Sequence, residues 1–356
     1  MASLVIRPEK IGDLVVTTPV FRALKESFPG EPVHLLVDET GAALVQHDPH
    51  LDRIIPVRWR DRHRGGHLPL PGLFSLIRKN GPYRRAVILY PGWNGWNWLA
   101  GLAGIPRVAQ IGGTWSALAW RHSMVLRRNH VAGEPTSELY LQVAAKAGAH
   151  MPEPGSWLPQ LYITDAEKAA LLKKFPGLAA PDKIFVHAFS LSTGANLTPA
   201  GYFDLCHHLV ETTPFRVYVL GTEAEGRSVT LPSHPRISTG LVGTLSLRET
   251  AAACSQADLL IGGSSGVIHI AAALGIPTLG LYCPAYQHHL VWGPRGRWAK
   301  VLISPPETCR RMGSSTGPCN WPGFCNLSFA FPPELIRREA EELIRQARKA
   351  REDGSG

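Results

Sequence analysis

The chain has 356 residues, 44% of them hydrophobic and 18% charged, with a formal net charge of +9, a composition suited to two globular domains that each bury a core. No uninterrupted apolar run approaches the ~20 residues that a spanning helix needs, and the opening MASLVIRPEK lacks the apolar stretch and cleavage region of a secretory signal, so the expected location is the cytoplasm.

A short apolar strand is expected at 4–7, then a loop over 8–12, then a helix opening at Asp13 whose Val16, Val20 and Leu24 recur at helical spacing. Further strands fit 33–37, 53–57 and 86–89 with helical stretches between or after them, the alternation that specifies a parallel sheet. Residues 151–163, MPEPGSWLPQLYI, carry three prolines and a glycine and read as a linker. The alternation then restarts: strands at 183–187, 216–220, 259–261 and 278–282, with helices at 199–212, 246–256 and from 267. The last stretch, PPELIRREAEELIRQARKAR, places Leu335, Ile336, Ala340, Leu343, Ile344 and Ala347 on one face of an amphipathic helix. The expected class is α/β, with Rossmann-like domains at 1–155 and 165–330 and a terminal helix at 332–351.

Charge is concentrated early, in Arg58, Arg60, Arg62, His63 and Arg64, followed by Arg78, Lys79, Arg84 and Arg85. Such a density suits phosphates, carboxylates or an acidic membrane face, or is a solvated loop. No nucleic-acid-binding module accompanies it, so no nucleic-acid partner is expected. The aromatic cluster Trp93, Trp96 and Trp98 either packs or stacks on sugar faces.

Six cysteines form no C-x-x-C pair, and a disulfide framework is not expected. Cys309, Cys319 and Cys325 share one Gly/Pro-rich loop and offer three thiols, but their spacing is not a standard zinc pattern and no metal is expected there. The chain has no G-x-x-x-x-G-K-[ST], no H-E-x-x-H and no G-x-S-x-G, which argues against a P-loop NTPase, a zincin and an α/β-hydrolase.

Four segments carry chemistry. GGSSGVIHIAAALG, 262–275, joins a strand to a helix through small residues, a geometry that turns backbone N–H groups toward a phosphate. In VHAFSLSTGANLTP a strand runs into the hydroxyl-rich Ser190, Ser192, Thr193 and Gly194, fit for phosphate oxygens or for a plain turn. In VLGTEAEGR, Glu225 is a surface helix residue or a carboxylate for sugar hydroxyls. Asp13 is a helix cap or a general base.

Together these segments resemble glycosyltransferase family 9, the bacterial heptosyltransferases. The resemblance rests on Gly12, Asp13 and Pro19 at the front, Gly221 with Glu225, the LVGTLSL stretch, and Ser265, Gly266 and His269 followed by Ala-Ala-Ala-Leu-Gly-Ile-Pro. It spans about residues 3–300.

It implies the GT-B architecture, two Rossmann-like domains facing a cleft, with the C-terminal helix packing back on the N-terminal domain. The implied reaction is inverting transfer of a heptose from ADP-heptose to an acidic glycan or lipid-linked acceptor such as lipopolysaccharide inner core, with Asp13 as base. It implies no required cofactor and allows peripheral contact with the inner membrane. Donor binding would fall to Gly12, Ser190, Ser192, Thr193, Gly194, Asn196, Gly221, Glu225, Leu245, Ser264, Ser265, Gly266 and His269, with Ser246 as a helix N-cap. Acceptor binding would fall to Arg58, Arg60 and Arg62.

Two positions depart from the family pattern: Ser264 stands where the family usually has Asp, and Asn196 where it commonly has Lys. An uncharged hydroxyl grips sugar hydroxyls less strongly than a carboxylate, and an amide supplies no positive charge to a diphosphate. Another nucleotide-sugar donor, or an inactive glycosyltransferase-like binding protein, therefore stays open beside the ADP-heptose reading.

Overall fold

A computed structural model of the chain describes residues 1–58, 70–90, 95–112, 134–189, 197–283, 288–305 and 330–354, with the backbone alone at 123–127 and 288. The chain divides into two units, Met1–Tyr162 and Ile163–Gly356.

The first unit runs β1 (Ala2–Arg7), α1 (Ile11–Val15), α2 (Thr18–Ser27), β2 (Val33–Asp38), α3 (Glu39–Leu44), β3 (Arg53–Val57), α4 (Leu70–Asn80), β4 (Tyr83–Ile88), α5 (Gly95–Leu102), β5 (Arg107–Gly112), β6 (Ser123–Arg127) and α6 (Thr136–Lys146). Its sheet has the order β3-β2-β1-β4-β5-β6 with every pair parallel. The order reverses between β1 and β4, and the crevice outside the carboxyl ends of those two strands is where such sheets take ligands.

The strands are apolar on both faces because helices cover both. Leu4, Ile6, Leu36, Ala86 and Ile88 meet Leu73 and Ile77 of α4 and Trp96 and Leu99 of α5 in one core cluster. The strand β5, RVAQIG, was not expected from the sequence. It is buried along five of its six positions and so lacks the alternation that marks a half-exposed strand.

The helix expected to open at Asp13 is two helices, with Asp13 inside the first. Pro19, which has no N–H to donate, sits in the opening turn of α2, where none is needed. Thr17 and Thr18 close the gap by donating their hydroxyls to the carbonyls of Asp13 and Val15, at 2.7 and 2.9 Å.

The second unit runs α7 (Asp165–Lys174), a 3-10 turn (Pro176–Ala179), β7 (Lys183–His187), α8 (Pro199–Thr212), β8 (Arg216–Leu220), α9 (Glu223–Arg227), β9 (Ile237–Ser238), α10 (Leu247–Cys254), β10 (Leu259–Gly262), α11 (Gly266–Ala273), β11 (Thr278–Tyr282), α12 (His288–Trp292), β12 (Ala299–Ile303) and α13 (Pro333–Glu352). Its order, β12-β11-β10-β7-β8-β9, repeats the topology of the first sheet, with the reversal between β7 and β10. Cys206 and Cys254 pack as small apolar groups, and burial pushes both thiols up to about 12, far from any reactive thiolate.

The expected packing of the C-terminal helix on the N-terminal domain is corrected here. The buried stripe of α13, Ile336, Ala340, Leu343 and Ile344, joins the core of the second unit with Ile184, Val186, Leu259 and Ile261 of its sheet and Tyr202, Cys206 and Leu209 of α8. Polar contacts fix the same placement. Arg348 donates to Asp182 at 2.7 Å and to Asp258 at 2.9 Å, and Lys300 reaches Glu339 at 2.5 Å. Amphipathicity tells that a helix has one face to bury but not which sheet receives it.

On this packing, Leu343→Ala removes a fully packed side chain and should cost about 2–5 kcal/mol of unfolding free energy, whereas the half-exposed Leu335→Ala should cost well under 1 kcal/mol. Urea titration monitored by circular dichroism reads both; equal costs would remove α13 from the core.

Candidate active site

In the first unit, β1 ends on Arg7, a cation only 3% exposed at the end of an otherwise apolar strand. A buried guanidinium needs an anion and hydrogen-bond acceptors. It finds both across the strand reversal: Arg7 pairs with the Asp13 carboxylate and donates to the carbonyl of Leu89, just past the end of β4. Its guanidinium carbon also lies 5.6 Å from the centroid of the Tyr140 ring, on α6.

Tyr140 completes the arrangement by donating its hydroxyl to Asp13 Oδ1 at 2.7 Å. The Arg7 contact falls on that same Oδ1. Both the Tyr140 hydrogen bond and the Arg7 ion pair are made to Oδ1, and Oδ2 is the oxygen through which this carboxylate can accept a proton. Asp13 is 8% exposed and caps nothing; the N-cap of α1 is Lys10, whose φ of 60° makes the sharp turn out of β1. Glu9 accepts the Tyr90 hydroxyl at 3.0 Å, tying the loops after β1 and β4 to each other.

In the second unit the corresponding strand ends are His187 and Gly262, which stand in register on β7 and β10. A Cβ added at Gly262 would lie 3.4 Å from that of His187, so glycine lets the two ends approach. Beyond Gly262 the chain enters α11 through Ser265, in extended conformation with φ −147°. Ser265 makes no side-chain cap, and its Oγ is buried with no partner among the described residues. The first N–H groups of α11 thus have no side-chain cap from this residue, which suits an anionic ligand.

His187 is 7% exposed, with Nδ1 also lacking a partner among the described residues. Burial pushes its pKa down to about 4, against an opposing pull from the Glu225 carboxylate. It is therefore neutral at physiological pH.

Glu225 sits at the third position of α9, where its Oε2 accepts from the Thr222 backbone N–H and hydroxyl at 2.7 and 2.8 Å while Thr222 caps the helix in return. Both bonds use Oε2 and neither uses Oε1. Gly221 precedes this helix against the Phe189 ring, which a Cβ would meet at 2.5 Å, so a larger residue there would have to displace that ring. Ser246 is the N-cap of α10, in a reciprocal box with Glu249, and Leu245 beside it is partly exposed.

The remaining expected residues divide sharply. Gly12 lies in α1 next to Asp13, and Gly266 opens α11. His269 is buried within α11, 5% exposed. Ser264 gives its hydroxyl to the phenol of Tyr282, whose own proton goes to the Trp292 carbonyl at 3.0 Å. Arg58 points outward, paired with Glu39 at 3.0 Å. Trp96 is fully buried, as packing requires, while Trp98 is half exposed. Arg60, Arg62, Trp93, Ser190, Ser192, Thr193, Gly194, Asn196, Cys309, Cys319 and Cys325 lie outside the described residues. Among the described residues no group of three His, Cys, Asp or Glu side chains is placed to hold a metal ion.

Comparison with known proteins bears on this geometry. The family model described as glycosyltransferase family 9 (heptosyltransferase) matches residues 99–319, more than half of the chain. The chain belongs to glycosyltransferase family 9. A lipopolysaccharide heptosyltransferase 2 of Salmonella typhimurium is 24% identical over 309 residues, 80% of this chain and 83% of that protein. Among solved structures, a family 9 glycosyltransferase of Veillonella parvula superposes with a TM-score of 0.77 at 19% identity, covering 97% of each chain. The ADP-heptose lipopolysaccharide heptosyltransferase II of Escherichia coli superposes with a TM-score of 0.75 at 20% identity, covering 97% of this chain and 99% of that one. Membership makes this family 9 protein a glycosyltransferase built of two Rossmann-like units, the GT-B fold.

Arg7, Tyr140 and His187 were not singled out by sequence reasoning. A signal existed for Arg7, a cation closing an apolar strand; none existed for Tyr140, whose partner is 127 residues away in the chain.

The unfolded chain protonates the His187 imidazole near its ordinary 6.5, the folded one only near 4. Between those values the unfolded state binds more protons, so stability falls as the pH drops through that window, by up to roughly 3 kcal/mol from this group. His187→Gln should flatten that part of the curve of unfolding free energy against pH; a curve parallel to the wild type would assign the acid sensitivity elsewhere.

Proposed function

We propose that this chain is an inverting heptosyltransferase of lipopolysaccharide biosynthesis, moving a heptose from ADP-heptose to an acidic inner-core acceptor at the cytoplasmic face of the membrane that carries it. The observation that carries the reading is the state of Asp13, a buried carboxylate whose Oδ1 is held by Arg7 and Tyr140 at the reversal point of the first sheet.

In the reaction, Asp13 Oδ2 takes the proton of an acceptor hydroxyl as that oxygen attacks the anomeric carbon of the donor. The bond from that carbon to the diphosphate oxygen breaks, and attack from the opposite face inverts the configuration. Arg7 and Tyr140 do not touch substrate; they hold the carboxylate in one orientation, so that reacting atoms start near contact distance.

The donor is assigned to the second unit. The N-terminus of α11 and the Ser265 hydroxyl meet the diphosphate, supplying fixed N–H and O–H donors to the charge that grows on the leaving group. Glu225 Oε1 accepts from ribose hydroxyls, with Leu245 against the base. No metal enters this scheme. Arg58, with Arg60 and Arg62 from the same segment, meets carboxylates or phosphates of the acceptor, where guanidinium forks bind in pairs.

One observation favours a second reading of the donor. Ser264 replaces the family's usual Asp, and its hydroxyl is engaged with Tyr282, so its grip on a sugar is weaker and uncharged. That suits a nucleotide sugar with a different hydroxyl pattern.

The central test is Asp13→Asn. Transfer should fall by about 10²–10⁴-fold while titrated ADP affinity is unchanged; turnover near the wild-type rate would end the assignment of the base. A thermal-shift screen of ADP- and UDP-sugars against the wild type names the donor, ADP-heptose giving the largest stabilisation under the first reading and another nucleotide sugar under the second.

A further inference from the structure

One face of the first unit's sheet is covered by α4 and α5, and the outer side of that pair is unusual. Among the described residues, the most exposed large apolar side chains after Met1 are Leu102 (59%), Leu70 (55%) and Trp98 (50%), and all three lie on these two helices. Trp98 and Leu102 are one turn apart and share a face of α5, and beside Leu102 a groove of about 350 Å³ is bordered by Ile77, Arg78, Tyr83 and Ala103. Phe74, one turn before Arg78 on α4, is partly buried and lies 5.8 Å from the Arg78 guanidinium.

Around this apolar ridge the charge has one sign. From Leu70 to Arg107 the sequence holds Arg78, Lys79, Arg84, Arg85 and Arg107 and not one Asp or Glu. Arg85 is buried against Glu31 and the Phe28 ring, and Arg107, on the same face of the sheet, reaches the Ala147 carbonyl; Arg78, Lys79 and Arg84 are exposed. Arg78, Lys79 and Arg84 gather where α4 ends and β4 begins.

We infer that the outer face of α4 and α5 is a docking surface for an anionic phospholipid bilayer, with Trp98, Leu102 and Leu70 entering the interfacial layer and Arg78, Lys79 and Arg84 meeting lipid phosphates. Tryptophan and long basic side chains suit that layer, each having an apolar body and a polar end. Basic residues near an anionic leaflet add attraction one by one. A second copy of the chain fits poorly, because a two-fold contact through this face would set its cations against themselves. The cations lie at the edge where β4 begins, the opposite end of that strand from the carboxyl ends that border the reversal. The docking does not rest on the acceptor reading above.

The test is co-sedimentation of the full chain with vesicles of phosphatidylglycerol and phosphatidylethanolamine, and with vesicles of phosphatidylcholine alone. Wild type should partition onto the anionic vesicles and not the neutral ones, and high salt should weaken the binding. The pair Trp98→Ser with Leu102→Ser, and the pair Arg78→Gln with Lys79→Gln, should each lower partition about tenfold, with melting curves and transfer to a deacylated, water-soluble acceptor unchanged. No partition of the wild type, undiminished partition of both variants, or concentration-dependent dimerisation that the apolar variant abolishes would overturn the proposal. Absence of transfer to the soluble acceptor in the wild type would instead strike the proposed reaction and leave the vesicle result standing.

Discussion

The guanidinium of Arg7 and the carboxylate of Asp13 meet below the surface of the first unit, and each would be a costly solitary charge without the other. Removing one partner of such a pair typically costs about 3–5 kcal/mol, since the remaining charge is left buried. The pair therefore constrains its surroundings. β1 must end where Arg7 can reach the Leu89 carbonyl, the chain must turn sharply at Lys10, and α1 must break before α2 so that Asp13 stays under the strand end. Tyr140 adds the last restraint from a helix far along the sequence.

The two sheets repeat one topology but put different chemistry at the reversal. In the first, charged side chains crowd the strand ends and a buried carboxylate is held by Arg7 and Tyr140. In the second the strand ends are His187 and a glycine, followed by small residues and a helix start with no side-chain cap. In the proposed reaction the first arrangement handles a proton and the second an anion. His187, kept neutral by burial, adds no positive charge at this strand end.

Much of this was legible in the residues. The strands at 183–187, 216–220 and 278–282 and the helix at 199–212 fall where periodicity and Pro199 put them, because each is bounded by turn residues and carries an uninterrupted apolar run. Ser246 is the expected N-cap because its box with Glu249 is local. What escaped was set by tertiary contact. The stripe on α13 announced burial but not its host. The break after Val15 depends on hydroxyls bonding back to carbonyls, and β5 is too uniformly buried to alternate. Within the site, Asp13 was visible as a residue type at a helix start; its orientation depends on Tyr140, which no local pattern marks.

That orientation is the central claim, and a double-mutant cycle addresses it directly. Tyr140→Phe removes one hydroxyl while keeping the ring against Arg7. If Tyr140 acts through Asp13, turnover should fall about tenfold in the wild-type background and not at all when Asp13 is already asparagine. Equal losses in both backgrounds would contradict the account, because Tyr140 would then serve the reaction by some path other than the carboxylate it holds.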